Sequence, residues 1–515
     1  MTHARARRWT CSGLAAALLT LSAGAAGAEA HHDGHHVLRV GAFRGIPGTY
    51  SSIQAAVDAA QPGDWILVGA GDYREAGAPG AGVLITTPGI HLRGMNRNRV
   101  IVDGTASGVI PCDAATAAQK PSSVGRNGIE VLEASGVSIE NLTACNFLAD
   151  ASGNGGNEIW WNGGDGSGVI GMGAFHGAFL TASSSYFAGG DPRAAMYGVF
   201  VSNSDGPGSI DNAYASNMAD SGFYVGACRD CNTTLRRVHA ENSALGFSGS
   251  NAGGHLRIID SEWDGNRAGI VPNSLANDDP PSPQDGSCPD RLASSCTVIE
   301  QNRVHDNNNP NTPAIGLTAT APIGTGIELS GDHNDTVRDN VVSHQGGWGI
   351  LINDYPDPSL PSVPTYCAGG IPGVSYPPLG TVCYFVGLGN RVLDNTLSDD
   401  GSFHNPTNGD LADATIVNPL GPDGNCFRFN TDPERPGLTS DPADIQSTAV
   451  LGTCGNSNPG DNTQLTAQLF CAAFNVCPAG GTYPQPAGVR MLPIPSDEPT
   501  MRDPCEGVPD NPWCD

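Results

Sequence analysis

The sequence predicts an all-β solenoid, a coil of short stacked strands. Three observations predict it. A phrase of one residue, a glycine and an apolar triplet returns at nearly constant spacing. Each period holds strand-sized apolar alternation and no helical stripe, and asparagine recurs at strand ends. The phrase runs through His176-Gly177-Ala178, Tyr197-Gly198-Val199, Ser221-Gly222-Phe223, Leu245-Gly246-Phe247 and Ala268-Gly269-Ile270, with glycines 21, 24, 24 and 23 residues apart. It resumes at Thr325-Gly326-Ile327 and Trp348-Gly349-Ile350, again 23 apart.

Within each coil, period-two alternation assigns the faces. Ala178, Val199, Phe223, Phe247, Ile270, Ile327 and Ile350, one past each glycine, are predicted to point inward. The next residue points outward, which places Phe179, Phe200 and Tyr224 in a row on consecutive coils. Trp160-Trp161 would extend that row by one coil. Asn141, Asn212, Asn302, Asn340 and Asn395 close preceding strands and are expected to bond coil to coil as a ladder.

The spacing of these Asn, Gly and aliphatic positions resembles the right-handed parallel β-helix repeats of the pectin-lyase-like superfamily, over roughly residues 45–400. The resemblance implies that fold. It leaves function open, because the superfamily includes lyases, glycoside hydrolases, esterases, epimerases, adhesins and metal-site accessory proteins.

The remaining elements follow in chain order. Residues 1–30 carry Arg5, Arg7 and Arg8, an apolar Leu14–Leu21 stretch and Ala28-Glu29-Ala30, the pattern of a secretory signal. Its loss takes the net charge from −27 to −29. A secreted, extracellular protein is expected. No later segment is long and apolar enough to span a membrane. Residues 31–44 form a His-rich leader in which His31, His32, His35 and His36 make a copper- or zinc-binding composition. A polar leader without a site is the alternative. Ile53, Ala56, Val57 and Ala60 share one face behind a serine cap, predicting a short helix over the solenoid's first edge. The β-helix occupies 45–400, interrupted by long loops at 273–297 and 353–387. Residues 401–477 are loop-rich with a candidate cap helix at Thr463–Phe474, and 478–515 is an extended Pro-rich tail.

Of 15 cysteines, Cys11 leaves with the signal, and an even 14 in an oxidising compartment predicts disulfides between near neighbours. The expected pairs are Cys112/Cys145, Cys228/Cys231, Cys288/Cys296, Cys367/Cys383, Cys426/Cys454, Cys471/Cys477 and Cys505/Cys514. A redox or metal site is the alternative for Cys228-Arg-Asp-Cys231.

For chemistry, the outward aromatics Trp160, Trp161, Phe179, Phe200 and Tyr224 form a candidate sugar-binding surface, with burial under a loop as the alternative. His239, Asp264 and Arg267 are the candidate catalytic residues, as His239 and Asp264 fall in adjacent turns. The catalytic signatures of polygalacturonases, alginate epimerases and pectin methylesterases are missing, and Lys120 is the one lysine available as a lyase base. The strong negative charge excludes nucleic acid and disfavours an anionic polymer unless a cation such as calcium bridges it. The expected function is a polysaccharide-binding or polysaccharide-degrading β-helix of the lyase or hydrolase kind. A non-catalytic adhesion protein and a copper- or zinc-handling accessory protein are the alternatives.

Overall fold

The computed structural model describes residues 36–515 apart from 79, 165–167, 190–191, 277–295, 359–366, 368, 378, 416–423 and 447–462. The coils build three parallel strand stacks. The first runs from Val37–Val40 through Thr233–Arg236 to Cys426–Arg428. The second runs from Gly71–Tyr73 through His239–Glu241 to Thr396–Ser398, and the third from Ala81–Ile85 through Ser221–Gly226 to Ser440–Asp441. One coil visits the three in turn, and the residues between the second and third stacks make a sharp corner.

The repeat glycine sits at this corner. A Cβ on Gly198, Gly222, Gly246, Gly269 or Gly326 would lie 2.4 to 3.1 Å from the carbonyl oxygen of the glycine one coil on. On Gly222 it would also meet the inward Ala240 Cβ at 2.9 Å. Glycine recurs because neighbouring coils approach too closely for a side chain. Gly177 is different. It lies in Phe175–Ser183 and pairs with Ile139 and Ile210, which places it in the first stack. The corner column instead begins with Gly82 and Gly128, and Glu158 then takes the glycine position opposite Gly198.

The core fills by complementary volumes. The second stack sends in Ala144, Ala182, Ala215 and Ala240, then Trp263, Val304, Val342 and Leu397, all buried. Across from the small residues, the third stack supplies Phe223 and Phe247, and Trp263 meets both rings edge-on at 5.9 and 6.3 Å. The first helix, Ile53–Ala59, places Ile53, Ala56 and Val57 in this core and lies against Val37–Val40 and Ala81–Ile85, which begin two of the stacks. Ser52 accepts from Ala55 N–H, and the Glu75 carboxylate accepts from Ile53 N–H at 2.6 Å. The second helix, Thr463–Phe474, packs Leu465 and Ala472 on the outer side of the third stack, against Trp348, Leu351 and Ala412.

The asparagine ladder is present from Asn302 onward. Asn302 N–H donates to Asn340 Oδ1 at 2.9 Å, Asn340 N–H to Asn395 Oδ1 at 3.0 Å and Asn395 N–H to Asn430 Oδ1 at 3.0 Å. Each side-chain amide also reaches back to a carbonyl of the preceding coil, as from Asn340 Nδ2 to Ile299 O at 2.9 Å. A second ladder runs through Asn266, Asn307, Gln345 and Asp400. Asn141 and Asn212 are not rungs. Both have positive φ, and Asn141 instead holds Arg502 of the tail by two backbone hydrogen bonds of 2.9 Å.

Five of the expected disulfides are formed: Cys112–Cys145, Cys228–Cys231, Cys367–Cys383, Cys471–Cys477 and Cys505–Cys514. Cys296 and Cys426 are also disulfide-bonded, while Cys288 and Cys454 lie outside the described residues. Cys228 and Cys231 are thus a closed staple at a coil edge. Within 353–387 the chain forms an antiparallel sheet of Tyr355–Asp357, Ile371–Tyr376 and Gly380–Phe385, held by Cys367–Cys383.

Replacing Asn340 by Ala removes the side-chain partner of buried Asn302 N–H and of Ile299 C=O, and one of the two donors to Asn395 Oδ1. It should cost on the order of 3 kcal/mol, read as a fall in denaturation midpoint. A second prediction concerns pH. Glu328 is buried at an outward position and burial pushes its carboxyl up to about 8, while burial pushes Asp335 up to about 7. The folded chain therefore holds protons that the unfolded chain releases near pH 4. Stability present at low pH is lost as the pH rises from about 4 to about 8. The melting temperature should drop across that window, and Glu328→Gln, neutral throughout, should flatten the upper part of the drop.

Candidate functional site

On the second stack, every strand from 214 to 343 has an apolar centre flanked by two outward residues. Register aligns them into two columns. One reads Tyr214, His239, Glu262, Arg303 and Val341, the other Ser216, Glu241, Asp264, His305 and Ser343. His239 and Asp264, predicted to be near one another, are in contact: His239 Nε2 lies 2.7 Å from Asp264 Oδ1. Burial on its own lowers the affinity of His239 for a proton, but the hydrogen bond and charge of Asp264, with Glu241 and Glu262, raise its pKa overall. Tyr214 donates to Glu241 Oε1 at 2.5 Å. His305 sits 3.0 Å from Glu262 Oε1 through Nε2 and 2.9 Å from Asp306 Oδ2 through Nδ1. Arg303 Nη1 reaches Glu262 Oε1 at 2.6 Å.

Arg267 does not join this group. It is 9% exposed, donates Nε to Ala321 O at 2.8 Å and Nη2 to Ala472 O at 3.3 Å, and so holds the second helix. Arg267 lies past the turn at Gly265 and Asn266, which carries the chain from Glu262–Asp264 toward the third-stack strand Ala268–Asn273.

The aromatic face is smaller than predicted. Trp160, Phe200 and Tyr224 are in register on the third stack. Phe179 lies in the first-to-second stack strand Phe175–Ser183, at positive φ, because the phrase around Gly177 is not a corner phrase. Trp161 is 0% exposed and points into the core, as alternation from the outward Trp160 requires. Phe200 is stacked with Trp160 at 5.0 Å and 3° and with Tyr197 at 4.5 Å and 25°, and Tyr224 meets it edge-on at 4.6 Å. Its ring is therefore engaged by protein, and Tyr224 is buried. The half-buried Trp160 and Tyr197 flank it, with Trp160 Nε1 donating to Ser202 Oγ at 3.1 Å and Tyr197 OH to Asp220 at 3.0 Å. This face and the His239 row occupy different stacks, so His239 and Asp264 do not surround the aromatics.

Of the leader histidines, His31, His32 and His35 lie outside the described residues, and exposed His36 has Nδ1 3.7 Å from Asp64 Oδ1. Burial, then the charge of Arg126, lowers the pKa of Lys120. Tyr214, Glu262, His305 and Tyr197 were not singled out from sequence. Glu262 was findable, since His239-Ala-Glu241 and Glu262-Trp-Asp264 repeat one pattern at one coil's spacing.

No family model and no curated protein matches the chain. Among solved structures it is similar to the Azotobacter vinelandii mannuronan C-5 epimerase AlgE4 A-module, with 13% identity, a TM-score of 0.43 and coverage of 74% of this chain and 90% of that one. A mannuronic acid-specific family 6 polysaccharide lyase from human gut microbiota matches at 14% identity and TM-score 0.41, covering 77% and 80%. Pectate lyase Pel9A matches at 12% and 0.37, covering 71% and 76%. The fold is a parallel β-helix of three strand stacks. Its own strand pairing carries that statement, and the residues of the site are read from this chain alone. Among the described residues, no helix is long and apolar enough to cross a membrane.

Phe200→Ala removes a ring held by three others. It should cost about 1–3 kcal/mol, between the values for a bare surface ring and a core ring. Chemical denaturation reads it, and a cost within about 0.5 kcal/mol would mean that the rings do not support one another.

Proposed function

We propose that the protein is an exported β-helix that binds and acts on polysaccharide, with its chemistry on the second-stack row and auxiliary contact from Trp160 and Tyr197. The observation that carries this reading is the 2.7 Å contact between His239 and Asp264 within a solvent-facing line of ionisable side chains. An imidazole oriented by a carboxylate is equipped to give or take a proton. Residues on successive coils repeat about every 4.8 Å, so the row is a linear surface suited to an extended polymer. The half-buried Trp160 and Tyr197 offer apolar area beside polar tips. The net charge of −27 favours a neutral polymer, or an acidic one bridged by a cation.

In this reading His239 is the proton-transfer group, Asp264 its positioning residue, and Tyr214 the hydroxyl that orients Glu241. The closed disulfides fit an oxidising compartment.

A panel of neutral and acidic polysaccharides, with and without calcium, tests the proposal through binding and release of products. A substrate should be found whose turnover falls at least about a hundredfold in His239→Ala, with melting temperature retained. Trp160→Ala should weaken binding. Turnover that survives His239→Ala would move the chemistry elsewhere, and no ligand across the panel would favour the adhesion reading.

A further inference from the structure

The lower part of the same row has a feature that proton transfer does not use. Donor atoms of Glu262, Asp264 and His305 lie within 4.8 Å of one another, and those of His239, Glu241 and Asp264 do likewise. The two groups share Asp264. They arise because Glu262–Asp264 pairs in register with Arg303–His305 on one side and with His239–Glu241 on the other.

His305 is the informative residue. Its side chain is only 12% exposed, and both ring nitrogens face carboxylates, Nδ1 at Asp306 and Nε2 at Glu262. With the Nδ1 hydrogen given to Asp306, the Nε2 lone pair points at a Glu262 oxygen 3.0 Å away. Two acceptors then confront one another, and either a second proton or a metal cation between them satisfies both. An imidazole whose second nitrogen is held by a carboxylate is the arrangement by which proteins orient a metal-ligating histidine. Asp264 meets His239 through Oδ1, and one of its carboxylate oxygens lies within 4.8 Å of the donor atoms of Glu262 and His305. Arg303 also reaches Glu262, but its side chain is 65% exposed and can withdraw to solvent.

We infer that Glu262, Asp264 and His305 bind a divalent transition-metal ion, with Asp306 and His239 as the groups that orient His305 and Asp264. One nitrogen and two carboxylates favour zinc or manganese over calcium, which prefers six to eight oxygens. Three protein ligands leave coordination positions for a hydroxyl or carboxylate of a bound polymer. An ion here offsets the charge that disfavours acidic polymers. It also leaves His239 on Asp264, so the metal adds to the proton-transfer reading without displacing it. The metal inference does not depend on that reading.

The test uses the full mature chain with His31, His32, His35 and His36 replaced by Ala, so that the leader contributes no ligands. After chelator treatment, calorimetric titration with zinc, and separately with manganese, should show about one ion bound per chain, as one such site requires. His305→Gln and Asp264→Asn should each weaken binding at least tenfold, with far-ultraviolet circular dichroism unchanged. Asp306→Asn should weaken it by about tenfold through the outer shell. Glu262→Gln serves as a further ligand variant if either of the first two fails to fold. Absence of binding in the treated parent, unchanged affinity in the folded ligand variants, or displacement of zinc by millimolar calcium would each overturn the inference. Loss of polysaccharide turnover in His239→Ala with zinc binding weakened no more than in Asp306→Asn would leave it standing, so the two proposals fail separately.

Discussion

Parallel, in-register stacking is the constraint on which everything else depends. When each strand pairs with its counterpart one coil away, every position along a coil becomes a column of like environments about 4.8 Å apart. Residue types then repeat for column-specific reasons. The corner column is glycine because the next carbonyl is 2.4 to 3.1 Å from where a Cβ would stand. The ladder column is asparagine because only a side chain with an acceptor and a donor can receive one coil's N–H and reach another's C=O. The outer columns of the second stack are ionisable because each member contacts the one above or below: Tyr214 with Glu241, His239 with Asp264, Glu262 with His305.

Departures from a column carry a consequence. Glu158 occupies the glycine column with no exposed surface and has one oxygen without a hydrogen-bond partner, and burial raises its pKa strongly. Asp335 and Asp400 stand in ladder columns, accepting Thr297 N–H and Gln345 N–H as an asparagine would. Each has a second oxygen with no partner where asparagine carries its amide donor. A protonated carboxyl is the closest chemical substitute for an amide there, and burial pushes both toward that form. The same stacking that rewards asparagine thus makes part of the ladder dependent on protons.

How far the sequence could be read follows from the same columns. The fold was legible because six corner glycines, Gly198, Gly222, Gly246, Gly269, Gly326 and Gly349, keep one coil's spacing or return to it, and coil length survives the inserted loops. His239 and Asp264 were legible because 25 residues separate them, one coil. His305 was not, because it comes 41 positions after Asp264, far more than one coil, with the stretch 277–295 between them. Gly177 misled because the phrase around it, with apolar residues at the right places, says nothing about which stack the strand joins. Only its pairing with Ile139 and Ile210 does so, and Phe179 moved with it. Exposure of Phe200 was misjudged for a related reason. Its closest ring, Tyr197, precedes the glycine in the same coil, and contacts around a corner leave no period in the chain.

The tail decides which part of the second stack is open. From Arg490 onward the chain runs back toward the first coils, bonding Asn311, Asn242, Asn217, Asn98, Asn141 and Arg93 in turn, and Trp513 finally donates to Ile46 O at 3.0 Å. Its carbonyls and amides take up side-chain hydrogen bonds that coil pairing leaves over at left-handed corner residues such as Asn217 and Asn242. The tail reaches the second stack at the strand ends 217 and 242, and burial, then Glu241, raise the pKa of Tyr214, with a smaller contribution from Glu498 of the tail. The tail is thus bonded at the corners of the coils that hold Tyr214 and His239, whereas among the described residues no hydrogen bond joins it to the strands Glu262–Asp264 and Arg303–His305. The tail itself is an irregular segment held along consecutive coils. A polymer that follows the same direction would meet the ionisable row where the tail leaves it.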